Sequence, residues 1–211
     1  MKKYIICFLS LIATNFAHSQ DGVYLNTGKN FSSISYKNRS NDISKIRING
    51  VGDSYELGYS MPFKYKKFKE LRYSGSATLN DYNAVGISNL NILDWKTTYF
   101  GIQNTVDYQF YEAYFFFLSA KAGLNMSTII RGKQIVNNSV TNLVSQNEFS
   151  GLVIHPIIGI YAKYYLSKNG YLSVGYNLSK SFKLGNNTDN VSINNGQILF
   201  GGYFDLIKKN K

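Results

Sequence analysis

The chain has 211 residues, 44% of them apolar and 16% aromatic, with one cysteine, two prolines and 23 basic against 12 acidic side chains for a formal charge of +11. That length fits one ordinary domain, and a single cysteine, Cys7 within an N-terminal apolar run, rules out a disulfide framework or a thiolate metal site in the rest of the chain. The basic balance would suit an anionic partner, but no nucleic-acid-binding motif accompanies it and no nucleic acid is expected.

Residues 1–19 read as a signal peptide. Lys2 and Lys3 precede an apolar run from Tyr4 to Thr14, and Ala17 and Ser19 are small residues where a signal peptidase needs them. The run is shorter than the about 20 residues of a helical membrane span. The remaining domain, residues 20–211, carries a formal charge of +9 from 21 basic and 12 acidic side chains. Part of that excess sits in Lys64, Lys66, Lys67 and Lys69 and in Lys208, Lys209 and Lys211, where it can lie beside lipid headgroups.

The domain is written in a period of two. Eight strands are expected at about 22–37, 53–63, 70–80, 96–111, 113–129, 150–166, 170–183 and 191–206. In the second, Tyr55, Leu57, Tyr59, Met61 and Phe63 oppose Glu56, Gly58 and Ser60; in the third, Leu71, Tyr73, Ala77 and Leu79 oppose Arg72, Ser74, Ser76 and Thr78. The fourth sets Phe100, Ile102, Val106, Tyr108 and Phe110 against Tyr99, Gly101, Gln103, Thr105, Asp107 and Gln109. The fifth alternates from Tyr114 to Met126, broken by Phe115 and Phe117, which are placed to close one end. The seventh and eighth repeat the pattern through Leu172–Ser179 and Ile198–Leu206. Connections at 38–52, 81–95, 130–149 and 184–190 are long and Asn- or Ser-rich, while those at 64–69, near Glu112 and at Ser167-Lys168-Asn169 are short. This alternation fits an up-and-down outer-membrane barrel whose strand ends both lie in the periplasm.

Large apolar side chains on one face and Gly, Ser, Thr, Asn and Gln on the other match lipid outside and a crowded polar lumen inside. A soluble secreted ligand-binding barrel would reverse the two faces. Aromatic residues gather at both ends of the apolar stripe, with Phe63, Tyr73, Tyr108, Phe110, Tyr114, Phe116, Tyr164 and Phe204 at one and Tyr55, Phe100 and Phe182 at the other. Glu56, Arg72, Asp107, Lys121, His155, Lys163 and Asp205 take the inward parity with both charge signs present. They are expected to form a structural polar network that plugs the lumen. Pro156 removes a ladder donor and predicts a bulge near His155 and Pro156, and Lys180 on the outward parity belongs at the outer rim.

With its signal peptide, the segment Ala120-Lys121-Ala122-Gly123-Leu124-Asn125-Met126-Ser127-Thr128 and the terminal Gly201-Gly202-Tyr203-Phe204, the chain resembles the small outer-membrane β-barrel family that includes OmpX-like and PorT-like members. The resemblance implies an all-β, eight-stranded antiparallel up-and-down transmembrane barrel in a Gram-negative outer membrane. It leaves the role open among structural, adhesive, secretory and occasional enzymatic proteins. Barrels of this kind often finish on an aromatic residue, whereas Phe204 is followed by Asp205 through Lys211. Catalytic candidates are thin: His18 leaves with the signal peptide, His155 is the remaining imidazole, and no Gly-x-Ser-x-Gly elbow, metal-binding His pair or phosphate loop is present. The expectation is therefore a non-enzymatic barrel with extracellular loops and a structural or surface-interaction role. It has no catalytic, cofactor or metal residues, no cofactor and no small-molecule ligand. Outer-membrane lipid is its expected partner, with envelope or secretion-system proteins as further candidates and a PorT-like secretion component as the alternative.

Overall fold

The computed structural model describes residues 22–37, 48–63, 65, 68–88, 91–136, 139–146, 149–167, 169–183 and 190–206. The expected signal peptide, Lys64, Lys66, Lys67, Lys208, Lys209 and Lys211, and Asn137, Asn138 and Asn147 lie outside them. Among the described residues ten strands run in chain order: β1 (Gly22–Lys37), β2 (Ile48–Pro62), β3 (Leu71–Ser88), β4 (Asn91–Ala113), β5 (Phe116–Val136), β6 (Ser139–Asn142), β7 (Val153–Ser167), β8 (Gly170–Lys180), β9 (Phe182–Lys183) and β10 (Asn190–Asp205). All pairings are antiparallel. Each long strand binds the next, β5 binds β7, and β10 returns to β1, so eight long strands close into an up-and-down barrel, with β6 and β9 as short additions. Closure leaves the long strands no free edge, the condition for placing a sheet in hydrocarbon.

Side-chain parity sorts the two faces. Outward-facing Leu57, Ile102, Leu124, Ile158, Ile160 and Phe200 are exposed, and so are the aromatic residues Tyr55, Phe100, Tyr108, Phe110, Phe116, Tyr164 and Phe204 at the ends of the stripe. From Phe100 to Phe110, β4 takes ten steps; at about 3.4 Å each and a tilt of about 40° the apolar band is about 25 Å tall, the height of a transmembrane barrel's girdle. Where strands cross closely, the inner stripe needs glycine. A Cβ on Gly28 would collide with the Ile198 carbonyl, and one on Gly175 with the Tyr161 ring.

Four expectations are corrected. Residues 81–95, expected as a long polar loop, instead continue β3 and β4 into a hairpin reaching Ser88↔Asn91, because Tyr82, Ala84, Trp95 and Thr97 carry on the inward alternation. Together with β5 and β6, which continue past the end of the β5–β7 pairing at Ser127↔Val153, this hairpin raises one flank of the barrel above the β7–β8 side. The turn expected near Glu112 falls at Tyr114 and Phe115, where Tyr114 takes a positive φ of 49°. Phe117 alone of the expected pair closes that end, packed on Tyr165 and Tyr171, while Phe115 is exposed. The bulge expected at His155 and Pro156 is absent: Asn125↔His155 and Leu124↔Pro156 stay in register, and the missing donor is accommodated by the gap between β8 and β9 on the other side. A register shift lies instead between Thr98 and Tyr99, opposite an extra residue, Ile130, on β5.

Candidate functional site

The interior is stacked in tiers, and the strand register decides which side chains meet. At the end holding the strand termini, Tyr171 and Tyr203 stack at 4.6 Å between centroids, and the Arg72 guanidinium lies 4.9 Å from the Tyr203 ring centroid. Arg72 donates to the Tyr203 hydroxyl and, through Nε at 3.3 Å, to Ser60; the Tyr203 hydroxyl in turn donates to Asp205 Oδ1 at 2.8 Å. Just above, Lys163 Nζ sits 3.7 Å from Asp107 Oδ1 and about equally, 5.4 Å, from the Phe117 and Tyr171 rings. A small polar crevice opens here between Tyr24, Ser60, Ser74, Asp107, Lys163 and Tyr171.

Glu56 is the hub of the next tier. Its Oε1 accepts from Tyr24 Oη at 2.8 Å, Ser76 Oγ at 2.9 Å and Gln103 Nε2 at 2.7 Å, and its Oε2 accepts from Asn26 Nδ2 at 2.8 Å. Lys121 Nζ lies 3.9 Å from Glu56 Oε1 and 4.4 Å from the Tyr161 ring centroid. A carboxylate stripped of water needs that many donors, and β1, β3, β4 and β5 converge on β2 to supply them. Above it comes a neutral amide layer. Asn80 Oδ1 accepts from Ser54 Oγ at 2.7 Å and from Gln197 Nε2 at 3.0 Å, and Asn195 Nδ2 donates to Asn30 Oδ1 at 3.2 Å.

Sequence reasoning missed the last tier. At the other mouth the inner face turns apolar, and Ile34, Tyr82, Ala84, Trp95, Tyr99, Ile129, Val153 and Ile193 form one buried cluster with Leu143 and Phe149 from the segment after β6. Leu143 N donates to Gly132 O at 3.0 Å, tying this segment over the opening, and Phe149 packs edge-on against Trp95 at 5.9 Å. The signal was present in the sequence, since residues 82, 84, 95, 97 and 99 continue the inward parity; it was hidden by the Asn-rich composition around them.

Of the seven sequence-chosen lumen residues, the structure therefore brings Glu56 with Lys121, Asp107 with Lys163, and Arg72 with Asp205 through Tyr203. His155 stands apart. It is buried below the apolar cluster, stacked on Tyr82 at 5.6 Å and 19°, and neither ring nitrogen has a hydrogen-bond partner among the described residues. No nucleophile or carboxylate is paired with it there, and among the described residues no group of three or more His, Cys, Asp or Glu side chains is placed to hold a metal ion.

No protein-family model matches the sequence, and no curated protein matches it. Solved structures do. Neisserial surface protein A aligns over 87% of this chain and 97% of its own at 16% identity and a TM-score of 0.52. The outer membrane protein OprG from Pseudomonas aeruginosa aligns over 90% and 98% at 14% identity and a TM-score of 0.50. At these identities the likeness is one of fold, and the fold is that of the small eight-stranded outer-membrane β-barrels, as the sequence resemblance implied.

Proposed function

We propose that this protein is a non-enzymatic integral barrel of a Gram-negative outer membrane, anchored by its apolar belt, plugged by its side chains, and presenting a raised flank of sheet for structural or surface-interaction work. The observation that carries the reading is the inversion of polarity. Leu57 is 61% exposed and Ile160 63%, while Glu56 is 3% and Lys121 5% exposed. A water-soluble barrel would lose about 25 cal/mol for every Å² of that outward apolar surface left in water. The soluble carrier alternative requires the opposite arrangement.

In this reading residues 1–19 export the chain, the strand termini face the periplasm, and the extended β3–β4 and β5–β6 hairpins stand on the outer side. The seven inward residues serve structure: opposite charges satisfy one another across the bore, and the Leu143 and Phe149 cluster stops the outer mouth. The test is fractionation and heat modifiability. The mature chain is expected in outer membranes, with unboiled material migrating apart from boiled material in a gel; a freely soluble folded monomer refutes the reading. Purified barrels are expected to be silent in a planar bilayer, and steady conductance would refute the plug. Replacing His155 is expected to leave extracted lipids unchanged in composition, and a changed lipid profile would overturn the non-enzymatic assignment.

A further inference from the structure

The register shift on β5 has a chemical result. Ser127 and Ile129 point into the barrel, so uninterrupted alternation would aim Arg131 and Lys133 inward as well, into the apolar mouth. The extra residue Ile130 reverses the parity: Tyr99 pairs with Ile129 but Thr98 pairs with Arg131, which leaves Ile130, Arg131 and Lys133 exposed and turns Gly132 inward beneath Leu143. Re-aiming side chains in this way is a recurrent use of bulges.

The re-aimed cations meet a third. Lys133 pairs directly with Lys96 of β4, also exposed, and Arg131 pairs with Thr98 on the same outward face. Like charges directly opposed across two strands repel and destabilise the pair unless an anion lies between them. Lys96 is ion-paired with Asp94, whose Oδ2 is 3.5 Å from its Nζ, and Asp81 Oδ1 accepts from Thr98 Oγ1 at 2.6 Å, whereas Arg131 and Lys133 have no carboxylate at ion-pair distance among the described residues. Immediately below lie Phe100, Met126 and Ile130, exposed members of the apolar band. Cations thus stand at the point where acyl chains end and headgroups begin.

We propose that Lys96, Arg131 and Lys133 form a binding site for the phosphates of a multiply phosphorylated glycolipid of the outer leaflet, with acyl chains lying on Phe100, Met126 and Ile130. This rests on the membrane reading above. Three cations suit a headgroup bearing more than one phosphate better than a single phosphodiester, and Arg131 adds a planar fork matched to phosphate oxygens.

The probe is purified diphosphorylated lipid A, titrated into the folded barrel in neutral detergent and followed by native mass spectrometry, with phosphatidylglycerol and dephosphorylated lipid A as comparisons. Each cation near an anionic lipid surface contributes about fivefold in affinity, so the triple variant K96Q/R131Q/K133Q is expected to bind lipid A about a hundredfold more weakly. Lys180→Gln, outward on β8 away from the site, is expected to change it less than about twofold. Affinity unchanged in the triple variant, an equal loss in Lys180→Gln, or equal binding of phosphatidylglycerol and lipid A by the wild type would each overturn the proposal. Heat modifiability, measured on every sample, separates this from failure of the membrane reading. If the proposal alone fails, all variants keep the heat-dependent shift; if the membrane reading fails, the wild type loses it too.

Discussion

Replacing Glu56 with alanine removes the one acceptor that Tyr24, Asn26, Ser76 and Gln103 share and leaves Lys121 in the bore without its carboxylate. Breaking one half of a buried ion pair costs about 3–5 kcal/mol, because the surviving charge keeps its desolvation penalty. Both partners here are 5% exposed or less, so screening by water does not reduce that figure much. A loss of about 4 kcal/mol corresponds to roughly a thousandfold shift in the folding equilibrium. The assay is urea titration of the barrel folded into lipid vesicles, read by gel mobility without boiling. The double variant E56Q/K121M, which removes both charges at similar volume, is expected to recover at least half of the loss. If Glu56→Ala costs under about 1 kcal/mol, or the double variant is no better than the single, the bore is wet enough to solvate a lone ammonium and the reasoning is wrong.

Phe149→Ala should uncover Trp95, the only tryptophan in the chain, giving red-shifted emission and faster quenching by acrylamide together with a loss of about 3 kcal/mol; an unaltered spectrum would mean that the segment does not stop the mouth. Gly28→Ala, whose methyl would collide with a backbone carbonyl that no rotamer can move, should destabilise the barrel by about 3 kcal/mol, while Gly75→Ala, whose nearest neighbour would be 3.7 Å away, should be tolerated. Comparable urea midpoints for the two glycine variants would count against the close packing of β1 on β10. Leu124→Arg, about midway up the apolar band of β5, should cost about 2–4 kcal/mol in vesicles, and Thr128→Arg, near its upper edge, about 0–1 kcal/mol. Equal costs would place the hydrocarbon elsewhere on the barrel.

The alternation in Phe100–Phe110 or Leu172–Ser179 is sufficient to assign inside and outside, because lipid and a narrow bore make opposite demands on consecutive residues. Parity alone assigns Glu56, Lys121, Asp107 and Lys163 to the interior. Their pairing is not legible in the chain, since it depends on strand stagger: Asp107 stands level with Lys121 across β4 and β5 but lies nearest the ammonium of Lys163 on β7. Tyr82, Trp95 and their neighbours are hidden because the outward positions of their hairpin, Asp81, Asn83, Asp94, Lys96 and Thr98, are polar, so its composition mimics a loop while its period does not. Ile130 escapes recognition because it only adds a second isoleucine beside Ile129, between Thr128 and Arg131, and so leaves no compositional mark. Parity groups His155 with the charged residues, yet its height along β7 puts it against Tyr82.

The strand nearest the N-terminal end of the described chain and the strand nearest its C-terminal end lie side by side along their whole lengths, from Gly22↔Asp205 to Lys37↔Asn190. Ribosomal synthesis makes these two ribbons at opposite times. Until the later one arrives, the earlier one has an empty flank, and a sheet with an empty flank has no tenable resting place in oil. The seam therefore makes closure conditional on both ribbons: without β10, β1 keeps a row of unpaired backbone donors and acceptors and the cylinder stays an open sheet.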